Sequence, residues 1–120
     1  MTTFSNLAVA IVALLHFYFF VLESFLWDKP IGMRTFRLSP EFAKASKSLA
    51  QNQGLYNLFL CAGLIWGLSL GPAGGRIKLF FLACVVVAGV VGAITANRKI
   101  LLVQGAPGLV ALLAVLAESK

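Results

Sequence analysis

Long apolar runs separated by short polar stretches dominate this chain. Four stand out, at about residues 7–26, 52–70, 77–96 and 100–116. A bilayer core about 30 Å thick needs roughly 20 helical residues and tolerates about 17. A helix also satisfies its own backbone groups, which lipid cannot do. The pattern predicts an all-α, polytopic membrane protein, a four-transmembrane-helix bundle forming a single domain over residues 1–120. The fourth run is short and holds Pro107. Proline removes a backbone donor and leaves the Val103 carbonyl without its helical partner, so a distortion is expected there. Residues 1–6 carry no Lys or Arg, and the first run therefore reads as a retained helix rather than a signal peptide.

The polar intervals predict the connections. Gly71-Pro72-Ala73-Gly74-Gly75 is a turn signal between helices two and three. Ser39-Pro40-Glu41 is a helix start, with an N-cap Ser, Pro at the first position and an acid in the first turn. Phe42, Ala45, Ser46 and Leu49 then share a face, with Lys44 and Lys47 off it. That suits a short cytoplasmic interfacial helix between helices one and two. The other reading is an extension of helix two.

Composition supports lipid as the solvent. Hydrophobic residues make up 60% of the chain and charged residues 12%, where a soluble domain carries about 25% charged. The net charge is +6, but the basic residues lie between apolar runs and no basic, aromatic face exists for nucleic acid. The 28–48 loop carries Lys29, Arg34, Arg37, Lys44 and Lys47, and the link between helices three and four carries Arg98 and Lys99. Arg76, Lys78 and Lys120 fall on the opposite side. The positive-inside rule places the long loop in the cytoplasm and both termini outside. Cys61 and Cys84 sit in apolar runs without CxxC or metal-ligand spacing, and read as inert thiols. No cofactor and no metal is expected.

Every helix places polar side chains at its cytoplasmic end. His16 and Glu23 are seven residues apart and share a face of helix one. Helix two begins with Asn52, Gln53, Tyr56 and Asn57, with Gln53 and Asn57 on one face. Helix three ends with Thr95 and Asn97, and Gln104 lies about one turn into helix four. The outer half is almost purely apolar apart from Ser69. Polar groups at membrane depth are costly unless they pair or line a wet cavity. His16, Glu23, Gln53, Tyr56, Asn57, Thr95 and Gln104 are therefore the candidate ligand or proton site. Interhelical glue is the competing account. Glu23 is the sharpest member, since desolvation favours the neutral acid; a hydrated Glu or one paired with Arg98 or Lys99 is the plain alternative.

Small residues recur every four positions at Gly63, Gly67 and Gly71, and again at Ala88 and Gly92. They let helices approach closely, within the bundle or in a homodimer.

His16, Glu23 and Trp27, the stretch Asn52-Gln53-Gly54-Leu55-Tyr56-Asn57, Cys84 to Gly89 with Gly92 and Thr95, and Gln104-Gly105-Ala106-Pro107 resemble a family of small bacterial membrane proteins. It is catalogued as domain of unknown function thirteen-zero-four. The resemblance covers nearly the whole chain and implies a four-helix bacterial inner-membrane protein. It brings no activity with it.

Three function classes remain. The first is binding or transport of a small apolar or weakly basic molecule, coupled to protonation of Glu23. The second is a structural or accessory subunit. The third is an intramembrane enzyme using His16 and Glu23 as acid and base. The third ranks lowest, because no nucleophile set, metal-ligand spacing or phosphate-binding loop is present. Small multidrug exporters, with four helices and a membrane Glu in the first, offer a fold-level analogy for the first class, but their sequence motifs are absent and the charge bias argues against their mixed orientation.

Overall fold

The computed structural model describes residues 2–96 and 98–118, without the side chain of Thr2. Asn97 and Lys120, placed above at the cytoplasmic end of helix three and at the outer terminus, lie outside the described residues.

The described chain is all α. Helix α1 covers Thr2–Phe25, a stretch with neither Gly nor Pro, and is about 36 Å long at the usual rise. Pro30 opens the short helix α2, Pro30–Phe36, after an extended Lys29 that suits a residue preceding proline. Arg37 closes α2 in the left-handed conformation at φ 56°, its N–H bonded to the Met33 carbonyl. Helix α3 runs unbroken over Pro40–Ser69. A 3₁₀ turn, Gly71–Gly74, leads to α4, Gly75–Thr95. A π-helical turn, Leu101–Gly105, then feeds α5, Ala106–Glu118.

Among the described residues, three stretches are long and apolar enough to cross a membrane: Thr3–Phe25, Gly71–Thr95 and Leu101–Glu118. They mark a multi-pass membrane protein. They correspond to the first, third and fourth predicted runs. Helix α3 is as long, but Gln51, Asn52, Gln53 and Asn57 dilute its apolar character.

The helix start at Ser39 forms as predicted, with the Phe42 N–H donating to the Ser39 hydroxyl at 3.2 Å. The helix that follows is not a separate interfacial one. It extends helix two, because nothing from Pro40 to Gln53 breaks it and several alanines favour it. The short helix that does stand between α1 and α3 is α2. The expected distortion near Pro107 also appears. The Ala106 N–H reaches back five residues to the Leu101 carbonyl, the π-type bond a missing proline donor invites.

The chain clusters into two compact units, Met1–Leu15 with Leu60–Lys120, and His16–Phe59. In the first unit all four long helices contribute to one core. Val9, Val12 and Ala13 come from α1, Cys61 and Leu64 from α3, Leu82 and Val85 from α4, and Ala111 and Val115 from α5. Small residues set the spacing. A Cβ on Gly63 would fall within 2.4 Å of the Phe81 ring, and one on Gly108 within 2.6 Å of Val85 Cγ1. Gly71 departs from the predicted row. It has φ 59° and nothing within 4 Å of a Cβ, so it serves the turn rather than a helix contact. Many large apolar side chains face outward, among them Leu14, Ile94 and Leu102, each more than two-thirds exposed. Such a surface suits lipid.

In the second unit, Trp27 ties the end of α1 to the elements that follow. Its ring lies 4.8 Å from that of Phe36, and its Nε1–H donates to the Ser46 hydroxyl at 3.0 Å. Lys47 pairs with Asp28 at 3.1 Å.

Candidate functional site

The site is built where α1 and α3 meet within the second unit. Ala43, Ala50, Gly54 and Asn57 form the buried stripe of α3 there. Gly54 permits the approach. A Cβ on it would come within 2.4 Å of the Ser24 hydroxyl and 3.2 Å of both Glu23 Cβ and the Phe20 carbonyl. Asn57 follows one turn later, buried, and its amide Nδ2 donates to Glu23 Oε1. Thus the Asn52–Asn57 stretch supplies first a gap and then a donor.

His16 lies two turns before Glu23, fully buried, with its ring edge-on to Phe19 at 5.5 Å. Gln53 and Tyr56 are exposed, Tyr56 leaning on Phe59 at 6.0 Å. The face shared by Gln53 and Asn57 in the sequence reading therefore splits, with only Asn57 turned inward. Thr95 and Gln104 belong to the other unit. Thr95 donates to the Val91 carbonyl of its own helix at 2.7 Å, and Gln104 sits half-buried in the π turn. Of the seven candidates, a direct hydrogen bond links Glu23 and Asn57.

Two acids of this unit contrast sharply. Asp28 faces a cation. Its hydrogen bond to Lys47, together with the charge of that lysine, holds its carboxyl below the usual carboxylate range. Glu23 faces a neutral amide. An amide donor fixes the orientation of a carboxyl group without compensating its charge.

The sequence reading missed polar contacts at the termini. Ser5 donates to Glu118 at 2.6 Å, and the buried Lys78 reaches Asn6 Oδ1 at 3.3 Å. In sequence Lys78 reads only as a flanking charge. Its stem lies against Gly67, where a Cβ would come within 2.6 Å of Lys78 Cγ. A lysine three residues after a Gly-rich turn carries no signal of burial, since tertiary contacts with Gly67 of α3 and Asn6 of α1 create it.

The profile of the family described as "Protein of unknown function (DUF1304)" matches residues 10–116. The chain belongs to this family. The matched span includes both partners of the Glu23–Asn57 bond. The chain is also similar to the "Uncharacterized protein YpaA" of Lactococcus lactis subsp. lactis (strain IL1403), at 31% identity over 115 residues, which cover 94% of this chain and 97% of that protein. No solved structure matches the chain.

Proposed function

We propose that this DUF1304 member is a four-span membrane protein that binds a small, weakly basic, largely apolar molecule at Glu23 and exchanges it against a proton. The observation that carries this reading is the partner of Glu23. Its carboxyl accepts a hydrogen bond from the Asn57 amide, a neutral donor that orients it. At membrane depth an uncompensated carboxylate is costly. A proton relieves that cost, and so does an amine entering with its own positive charge. His16, buried on the same face of α1, extends the polar path.

A fourth crossing by α3 is supported by its Cys61 and Leu64, which are buried among side chains of the three apolar helices. With four crossings the positive-inside rule puts the 28–48 loop in the cytoplasm of a bacterial inner membrane and both termini outside. A structural subunit is the rival reading, resting on the same hydrogen bond as interhelical glue.

The test is calorimetric titration of the reconstituted protein with a lipophilic tertiary amine in two buffers of different ionisation enthalpy. Wild type should bind with release of a proton, and Glu23→Gln should lose both binding and release. Equal binding by Glu23→Gln, or none by wild type, overturns the reading.

A further inference from the structure

Helix α1 leaves the apolar stretch at Phe25, and α2 begins at Pro30. Five residues of chain reach at most about 18 Å, so α2 stays near the membrane boundary. This segment and the start of α3 hold five basic residues, of which Lys47 is engaged by Asp28. The other four, Lys29, Arg34, Arg37 and Lys44, are all exposed, against a single exposed acid, Glu41. Apolar side chains stand exposed among them, Ile31 at 43% and Phe42 at 56%. Arg37 adds a second observation. It occupies the left-handed position that closes α2, where glycine is the usual residue and any other is strained. The chain keeps a cation at that strained place.

We infer that this end of the His16–Phe59 unit is a docking surface for anionic phospholipid headgroups of the membrane in which the protein sits. The four cations meet the phosphates, and Ile31 and Phe42 reach the acyl boundary. Cations interleaved with apolar side chains fit a lipid interface, where both environments lie within a few ångströms. An acidic soluble partner would leave the apolar members in water. The inference needs only α1 to cross, and so stands apart from amine binding at Glu23.

The experiment measures the association of spin-labelled phosphatidylglycerol and phosphatidylcholine with the full chain in mixed vesicles. Wild type should prefer phosphatidylglycerol, and added salt should weaken the preference. Arg34→Gln combined with Arg37→Gly should lower it by about fivefold for each charge removed. Glycine relieves the strain at position 37, so the variant should keep its fold, checked by unchanged helical circular dichroism. Equal association of both lipids with wild type overturns the inference, and so does an intact preference in the double variant. Competition by inorganic phosphate beyond that of chloride at matched ionic strength would reveal a free-anion site instead, and likewise overturns it.

Discussion

The backbones of Gly89 in α4 and Gly105 in the π turn are in contact, so that a Cβ on Gly89 would lie 2.6 Å from Gly105 Cα. Two backbone segments meet there, and neither can swing aside as a side-chain end can. Gly89→Ala should therefore lower stability by about 1–3 kcal/mol, the usual cost of overpacking. Gly75→Ala is the control. It starts α4 at φ −56° with nothing within 4 Å, and alanine favours a helix there. Thermal unfolding in detergent should separate the two variants. Equal melting of Gly89→Ala and wild type would show that the contact is not maintained.

Gly67 and Gly71 look alike in sequence but should respond differently. Gly67→Leu meets the Lys78 stem, the Lys78 backbone nitrogen at 3.1 Å and the Gly74 carbonyl at 3.4 Å. It should destabilise by about 1–3 kcal/mol through packing. Gly71→Leu meets open space but a backbone at φ 59°. Asparagine tolerates that conformation better. Gly71→Asn should thus melt higher than Gly71→Leu, whereas Gly67→Asn should bring no such rescue. A similar rescue at both positions would contradict the assignment.

Asp28 makes the region around Trp27 acid-sensitive. Its carboxyl titrates below the ordinary range when folded, through Lys47. The ion pair therefore contributes above the unfolded carboxylate pKa of about 4, and that contribution is lost as pH falls through the lower folded value. Trp27 emission, followed in a Trp66→Phe background, should change on the acid side in wild type. Asp28→Asn should remove the acid step. An acid step that survives Asp28→Asn would assign it to another group.

The hydrophobic pattern made the membrane class legible, because spans such as Thr3–Phe25 and Gly71–Thr95 are local properties of composition. Pro107 likewise announced a broken helix, since a missing N–H is a property of one residue. The start at Ser39 was legible for the same reason. What followed it was less so, because an amphipathic stretch such as residues 42–49 suits a separate surface helix and a projecting helix end equally. The site was legible as residue types. Glu23 and Asn57 stood out as polar groups in apolar runs, but helical spacing alone put Gln53 beside Asn57. The packing of Gly54 on Ser24 decides which of them turns inward. Lys78 was illegible, as its burial depends on tertiary contacts with Gly67 and Asn6, far from it in sequence.

Topology can be tested at the ends. Four crossings place both termini on the same side of the membrane, and three place them on opposite sides. A reporter that works only outside the cytoplasm, fused after Lys120, should be active, and one inserted after Leu38 should be silent. Activity at position 38 with silence at the C-terminus would invert the proposed orientation. Activity at both would remove the crossing by α3.

The Glu23–Asn57 bond separates a binding site from mere glue when both partners are changed. Asn57→Leu alone leaves a carboxyl at membrane depth without its donor. Interhelical hydrogen bonds in membranes are worth about 0.6 kcal/mol and at most about 1.7, so a loss of about that size is expected. Removing both partners leaves no polar group stranded, and such double replacements are often nearly neutral. Glu23→Leu combined with Asn57→Leu should therefore melt closer to wild type than Asn57→Leu does. Stability and binding should then part company. The stable double variant should neither bind a lipophilic amine nor release a proton, because the titrating group is gone. If the bond were glue alone, wild type would bind no amine, and the double variant would differ from it in nothing but melting temperature. Amine binding retained by the double variant would place the site elsewhere in the molecule and end the case for Glu23.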